Sequence, residues 1–181
     1  REPALCRGRA VTMNRLILLA SLLLACVTTL AGDLPPGIMA LDGRPAPALK
    51  LDNLDGEPWD ITESRGHWIF VHFWASWCGP CRREMPTIQK LTQKLQDKQF
   101  EIVMVNTAET EDEVFSFLGI VAPDLVPLMD TDGLVTEAWQ PRGLPATFLV
   151  DPQGNLRYLA LGGREWHTGP YLTFLRGLTK H

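Results

Sequence analysis

The sequence predicts an α/β fold with a central mixed β-sheet flanked by helices, on three observations. Residues 68–74 and 100–106 are rich in aromatic and β-branched residues and apolar on nearly every position. Such runs suit strands covered on both faces. An amphipathic stripe of Met85, Ile88, Leu91 and Leu95 at helical spacing lies between them. The chain then closes with a hairpin signal at 151–155 and a further helical stretch, so strands alternating with helices give way to antiparallel pairing.

Taken in order, the chain divides into four parts. Residues 1–12 have no apolar periodicity and precede Met13, and are read as an upstream extension. Residues 13–31 carry a short positive n-region at Asn14-Arg15, an apolar run from Leu16 to Leu24 and small residues beyond, the pattern of an export signal. Leu23-Leu24-Ala25-Cys26 resembles a bacterial lipobox, which makes Cys26 a lipidation candidate. Cleavage after Thr29-Leu30-Ala31 and an uncleaved anchor are the two other readings of the same stretch. Residues 32–44 are read as a linker and 45–181 as the folded domain.

Within that domain, 48–54 and 57–61 flank Asp55-Gly56 and predict an N-terminal β-hairpin. Trp68 to Trp74 is the central strand, and Arg82 to Lys98 the amphipathic helix. Phe100 to Asn106 gives a strand, and Thr110 with Glu113 has capping-box spacing at the start of a short helix. A strand at 125–129 and a helical turn at 134–139 follow. Leu144 to Val150 is a strand begun by proline, Leu156 to Leu161 its hairpin partner, and Pro170 to Leu178 the last helix.

Charge and cysteine usage narrow the function. The net charge is −4, but residues 1–32 carry +3, leaving −7 on the body. An acidic body without a basic run argues against nucleic acid as a partner. Of four cysteines, Cys6 and Cys26 fall in or before the leader, so the body holds only Cys78 and Cys81. Their bridge would close a loop too small to constrain the unfolded chain much, so its purpose is chemical. A zinc site would need a second Cys pair or His ligands at metal-like spacing, and the histidines stand scattered at 67, 72, 167 and 181. No metal is expected.

Dithiol chemistry fits the placement. Cys78 follows an apolar strand and precedes a helix, where unsatisfied N–H groups and the helix dipole favour a thiolate. Cys81 lies one turn in, close enough to resolve a mixed disulfide at Cys78. Gly79 and Pro80 fill the gap, Pro80 with a helical φ already set.

The stretch Trp77-Cys78-Gly79-Pro80-Cys81 resembles the thioredoxin active site. Phe73-Trp74-Ala75-Ser76-Trp77, Cys81-Arg82-Arg83-Glu84-Met85-Pro86, Val105-Asn106 and 143–151 resemble the exported TlpA-like (ResA-like) thiol–disulfide oxidoreductases over roughly 45–178. The resemblance implies a thioredoxin-like fold with an inserted strand–helix segment around 102–118. It further implies that Pro145 is cis and faces the cysteines, and that Leu144 offers backbone hydrogen bonds to substrate. Glu84 is implied to influence protonation of the disulfide, with Glu109 resembling a second acid of that cleft. The bland reading of both acids is a solvated surface carboxylate. Trp77 is expected to shape the rim.

His72 departs from the pattern, since relatives commonly carry asparagine and thioredoxin an aspartate there. It either exchanges a proton with the resolving thiol or is a satisfied core histidine. The implied activity is reduction of disulfides in envelope proteins, of the cytochrome c maturation or copper-site assembly type. Electrons would come from a membrane thiol carrier, and the disulfide itself would serve as the redox group, without a bound cofactor. A general disulfide oxidase or isomerase, and a lipid-anchored thiol module that binds or delivers metal, are the alternatives; a thiol peroxidase ranks last.

Overall fold

The computed structural model describes residues 34–95 and 100–180. The readings at 1–31, Cys26 among them, lie outside these residues.

Strands are β1 (Ile38–Ala40), β2 (Lys50–Asp52), β3 (Pro58–Asp60), β4 (Trp68–Trp74), β5 (Phe100–Thr107), β6 (Leu128–Asp130), β7 (Ala146–Val150) and β8 (Leu156–Leu161). Helices are α1 (Gly79–Leu95), α2 (Glu111–Val121), α3 (Leu134–Trp139) and α4 (Gly169–Leu178). The main sheet has the order β1-β8-β7-β4-β5-β6, with β4, β5 and β6 parallel and β7, β8 and β1 antiparallel. It is the mixed sheet expected from the sequence, with β4 at its centre. The hairpin at the N-terminal side forms its own two-stranded sheet, β2 with β3.

Two apolar layers bury the sheet. Strand side chains alternate faces, so Phe70 and Trp74 of β4 join Cys81, Met85, Ile88 and Leu91 of α1 in one cluster. Ile69, Val71 and Phe73 point the other way, against Leu49, Trp139 and Phe148. This alternation has one chemical consequence. His72 shares the parity of Phe70 and Trp74 and therefore faces α1.

Helix α1 starts at Gly79, directly after Cys78 as the placement of the cysteine pair implies, with Pro80 in a first turn that has no use for its N–H. It runs on through Pro86. The structure departs from the expected elements in three places. Strand β6 begins at Leu128 rather than Leu125, since Pro127 has no N–H for the ladder and Val126 is exposed. Strand β7 begins at Ala146 rather than Leu144, with the Leu144–Pro145 peptide cis just before it. Finally, β1 lies inside the stretch read as a linker and pairs with the outer edge of β8. Only Ile38 of its three residues is buried, too little pattern to announce a strand.

Candidate active site

The site starts from the junction of β4 and α1. Strand β4 is held on both sides by ladders and covered on both faces, so its C-terminal end is a fixed point. Ala75 to Trp77 carry the chain out of the sheet, and α1 begins immediately after Cys78. Cys78 and Cys81 are joined by a disulfide, their Cα atoms 5.2 Å apart.

The two sulfurs are not equivalent. Cys78 keeps 6% exposure while Cys81 is fully buried. The backbone N–H of Cys81 donates to Cys78 Sγ at 3.3 Å. An amide of the first helical turn thus already points at the sulfur where a thiolate would carry charge, as expected of a helix N-terminus. Trp77, beside it, is 68% exposed and forms the rim. Gly79 is half-buried and Pro80 exposed.

Beneath the disulfide lies a buried pair of titratable groups. Glu84 is one turn beyond Cys81 and only 2% exposed, so it is not the surface carboxylate of the bland reading. It occupies the apolar stripe of α1 with Cys81, Met85 and Ile88. Its Oε1 accepts the backbone N–H of Arg164 at 3.1 Å. Its Oε2 has no hydrogen-bond partner and faces His72 Nε2 at 3.7 Å. His72 is fully buried, stacks on Phe70, and places Nδ1 2.8 Å from Thr147 Oγ1. Thr147 is its register partner on β7.

Burial sets both protonation states. It pushes Glu84 from 4.5 up to about 7, opposed by the Arg164 amide, the neighbouring Trp166 indole and the Arg164 charge. Burial likewise pushes His72 from 6.5 down to about 3, and the Arg164 charge adds to that. At neutral pH the imidazole is uncharged. It can accept or orient a proton there, but it does not carry one as an imidazolium.

Glu109 is also buried, held by three donors. Its carboxylate accepts Ser76 N–H at 2.7 Å, Asn106 Nδ2 at 2.7 Å and the Ser76 hydroxyl. Ala108, with φ of 55°, turns the chain after β5 so that the acid points back toward β4. From the other side, Arg82 donates to the Ser76 carbonyl at 3.1 Å while lying over Phe117. Glu109 therefore fixes the loop that delivers Cys78.

Pro145 and Leu144 come to the same end of the sheet. Phe73 pairs with Ala146, so the next residue back, Pro145, stands level with Trp74. The Pro145 carbonyl accepts the Gly162 N–H at 2.9 Å, and half-buried Leu144 packs against both apolar clusters. Beside α1 a cleft of about 420 Å³ is lined by Pro80, Glu84, Thr87 and the 162–165 turn, whose Gly162 bonds Pro145. Ser76, Thr147, Gly163 and Arg164 are contributors that residue spacing does not reveal. The Gly162-Gly163-Arg164 run stands out in the sequence, but nothing in it points to Glu84. Among the described residues no cluster of three or more His, Cys, Asp or Glu could hold a metal, and no helix is long and apolar enough to cross a membrane.

A redox-capable disulfide opening a helix after the central strand of a mixed sheet, beside a cis-proline loop, defines a thioredoxin-fold thiol–disulfide oxidoreductase. The chain belongs to the AhpC/TSA family, whose profile matches residues 43–159, and within it is of the ResA type. It is 32% identical over 159 residues to the thiol-disulfide oxidoreductase ResA of Geobacillus thermodenitrificans, covering 86% of this chain and 90% of the relative. To ResA of Bacillus subtilis it is 30% identical over 121 residues, covering 67% and 68%. Among solved structures, the thioredoxin domain of a thiol-disulfide oxidoreductase from Bacteroides vulgatus matches with TM-score 0.64 and 27% identity, over 75% of this chain and 96% of that one. A thiol:disulfide interchange protein from Bacteroides sp. matches with TM-score 0.65 and 26% identity, over 78% and 91%.

Proposed function

We propose that the protein works outside the cytoplasm, in a bacterial envelope, as a reductase of disulfides in partner proteins. The observation that supports dithiol exchange is the asymmetry of the cysteines: Cys78 keeps 6% exposure and has an amide on its sulfur, while Cys81 is fully buried. In the reduced protein the Cys78 thiolate attacks a partner disulfide, and one partner sulfur leaves as a thiolate. The Cys81 thiol then loses its proton, attacks Cys78 Sγ, and releases the second partner thiolate. The protein is left oxidised and the partner holds two thiols. Glu84 and His72 manage the proton at the resolving step. Trp77, Gly79, Pro80, Leu144 and Pro145 form the ledge on which the partner chain rests.

The direction of electron flow is inferred from the resemblance and from the export signal read at 13–31. An exported reductant in an oxidising compartment needs resupply, which a membrane thiol carrier would provide by reducing the Cys78–Cys81 disulfide. Partners of the cytochrome c maturation or copper-site type fit this scheme. The chain from β1 onward would be the working domain, held near the membrane through 13–31 or through a lipid on Cys26.

Cys81→Ser tests the assignment. The variant should accumulate a mixed disulfide between Cys78 and its partner, identifiable by mass. Better trapping by Cys78→Ser would reverse the roles of the two cysteines. A reduction potential near about −120 mV, the value of a dedicated oxidant, would overturn the reductase direction.

A further inference from the structure

Glu84 Oε2 and His72 Nε2 are two buried polar atoms without partners, 3.7 Å apart and facing each other. A hydrogen bond needs about 2.8 Å, so a carboxyl rotation of roughly 1 Å would join them. Two unpartnered polar atoms in an apolar core cost free energy, which a proton between them would offset; the Trp166 indole N–H, also without a partner, is the other buried donor beside the carboxyl. If His72 carries its hydrogen on Nδ1 and gives it to Thr147 Oγ1, the Nε2 lone pair is directed at the carboxyl. On its other side, Glu84 meets exposed Gly163. A Cβ at Gly163 would lie 3.2 Å from the Pro80 carbonyl oxygen and 3.6 Å from Glu84 Oε2. Gly163 does not have a positive φ, so its missing side chain answers to space rather than to backbone conformation.

We propose that His72 is a positioning residue for the Glu84 proton, its Nε2 accepting the carboxyl O–H in an uncharged buried pair that lies behind Gly163 at the cleft beside α1. The proposal deepens the reductase reading and rests on it for direction only. When an incoming thiolate attacks Cys78 Sγ, the S–S bond breaks and its electron pair leaves on Cys81 Sγ. Glu84 gives its proton to that sulfur, forming a thiol and a carboxylate, and regains a proton through the cleft. In the reverse direction the carboxylate takes the Cys81 proton as that sulfur attacks. His72 stays neutral throughout, which buried surroundings favour. The charged and titratable groups facing the pair are Cys81 on α1 and Arg164 on the turn after β8, with Arg83 and Glu165 lining the cleft outside. From β7 only the Thr147 hydroxyl faces it.

The test is stopped-flow reduction of the Cys78–Cys81 disulfide by dithiothreitol across pH, read by tryptophan fluorescence and corrected for the thiolate fraction of the reductant. Glu84→Gln identifies the Glu84 titration by abolishing it. His72→Leu removes the acceptor of the carboxyl proton, and His72→Asn adds an amide that can donate to the carboxylate. Both should lower the midpoint by half a pH unit or more. Gly163→Ala should move it upward, since a methyl about 3.6 Å from Oε2 adds apolar cover between the carboxyl and the cleft. A structural role alone would not shift the midpoint in opposite directions. Midpoints in both His72 variants that match the parent would overturn the proposal, as would a downward shift in Gly163→Ala. A protein that dithiothreitol reduces normally but that traps no partner through Cys78 would contradict the reductase reading and leave these midpoints readable.

Discussion

Replacing Glu84 by Gln should uncover a pH dependence of stability that the native pair conceals. Folding raises Glu84 from 4.5 to about 7, so between those values the native state holds a proton that the unfolded chain has released. Its contribution is fully present below 4.5 and is lost as pH rises through about 7. Folding lowers His72 from 6.5 to about 3, so over that span the native state lacks a proton that the unfolded chain holds. Its contribution is present above 6.5 and is lost as pH falls toward 3. The windows overlap from 4.5 to 6.5, where the two slopes have opposite signs and cancel. Glu84→Gln leaves the histidine slope alone, worth about 1.4 kcal/mol per pH unit. Between pH 4.5 and 6.5 the variant should therefore gain about 3 kcal/mol relative to the parent. Urea unfolding of the oxidised proteins measures this, and taking the difference removes the contribution of other carboxylates. A difference that stays constant with pH would refute the buried-acid reasoning.

Two further substitutions test the parts that hold the site. Thr110→Ala removes the capping box of α2, in which Glu113 N–H reaches Thr110 Oγ1 and the Glu113 carboxylate takes the Thr110 amide. It should cost about 1 kcal/mol by urea midpoint and leave the rate of disulfide reduction unchanged. Glu109→Leu removes the acceptor of the Ser76 N–H, the Ser76 hydroxyl and Asn106 Nδ2 and leaves them facing an apolar side chain. It should cost about 1–3 kcal/mol. It should also slow alkylation of reduced Cys78, because Ser76 sits two residues before it; an unaltered alkylation rate would separate Glu109 from the loop.

Much of the fold could be read directly because the sequence is locally consistent. The run from Trp68 to Trp74, the stripe on α1 and the turn at 151–155 each favour one structure, and the elements follow. The errors have local causes as well. Pro127 truncates β6, and β1 is defined by its partner β8 rather than by any pattern of its own. The cysteine pair was legible for the same reason as β4 and α1, since its chemistry depends on position along the chain.

The buried acid–imidazole pair was legible only in halves. Strand parity assigns His72 to the face of Phe70 and Trp74, and helical spacing assigns Glu84 to the face of Cys81. Both assignments are local, and neither states that the faces meet. That depends on α1 crossing β4 at this level, and on the turn after β8 bringing Arg164 N–H and Gly163 to the same carboxylate. The sequence separation of 80 residues between Glu84 and Arg164 lies beyond any periodicity. The surprise in the sequence was a histidine where the family resemblance implies asparagine. The structure gives it a physical context: a buried carboxylic acid pushed up to about 7 is matched, in its protonated form, by a neutral acceptor. An imidazole whose other nitrogen is occupied by Thr147 supplies one.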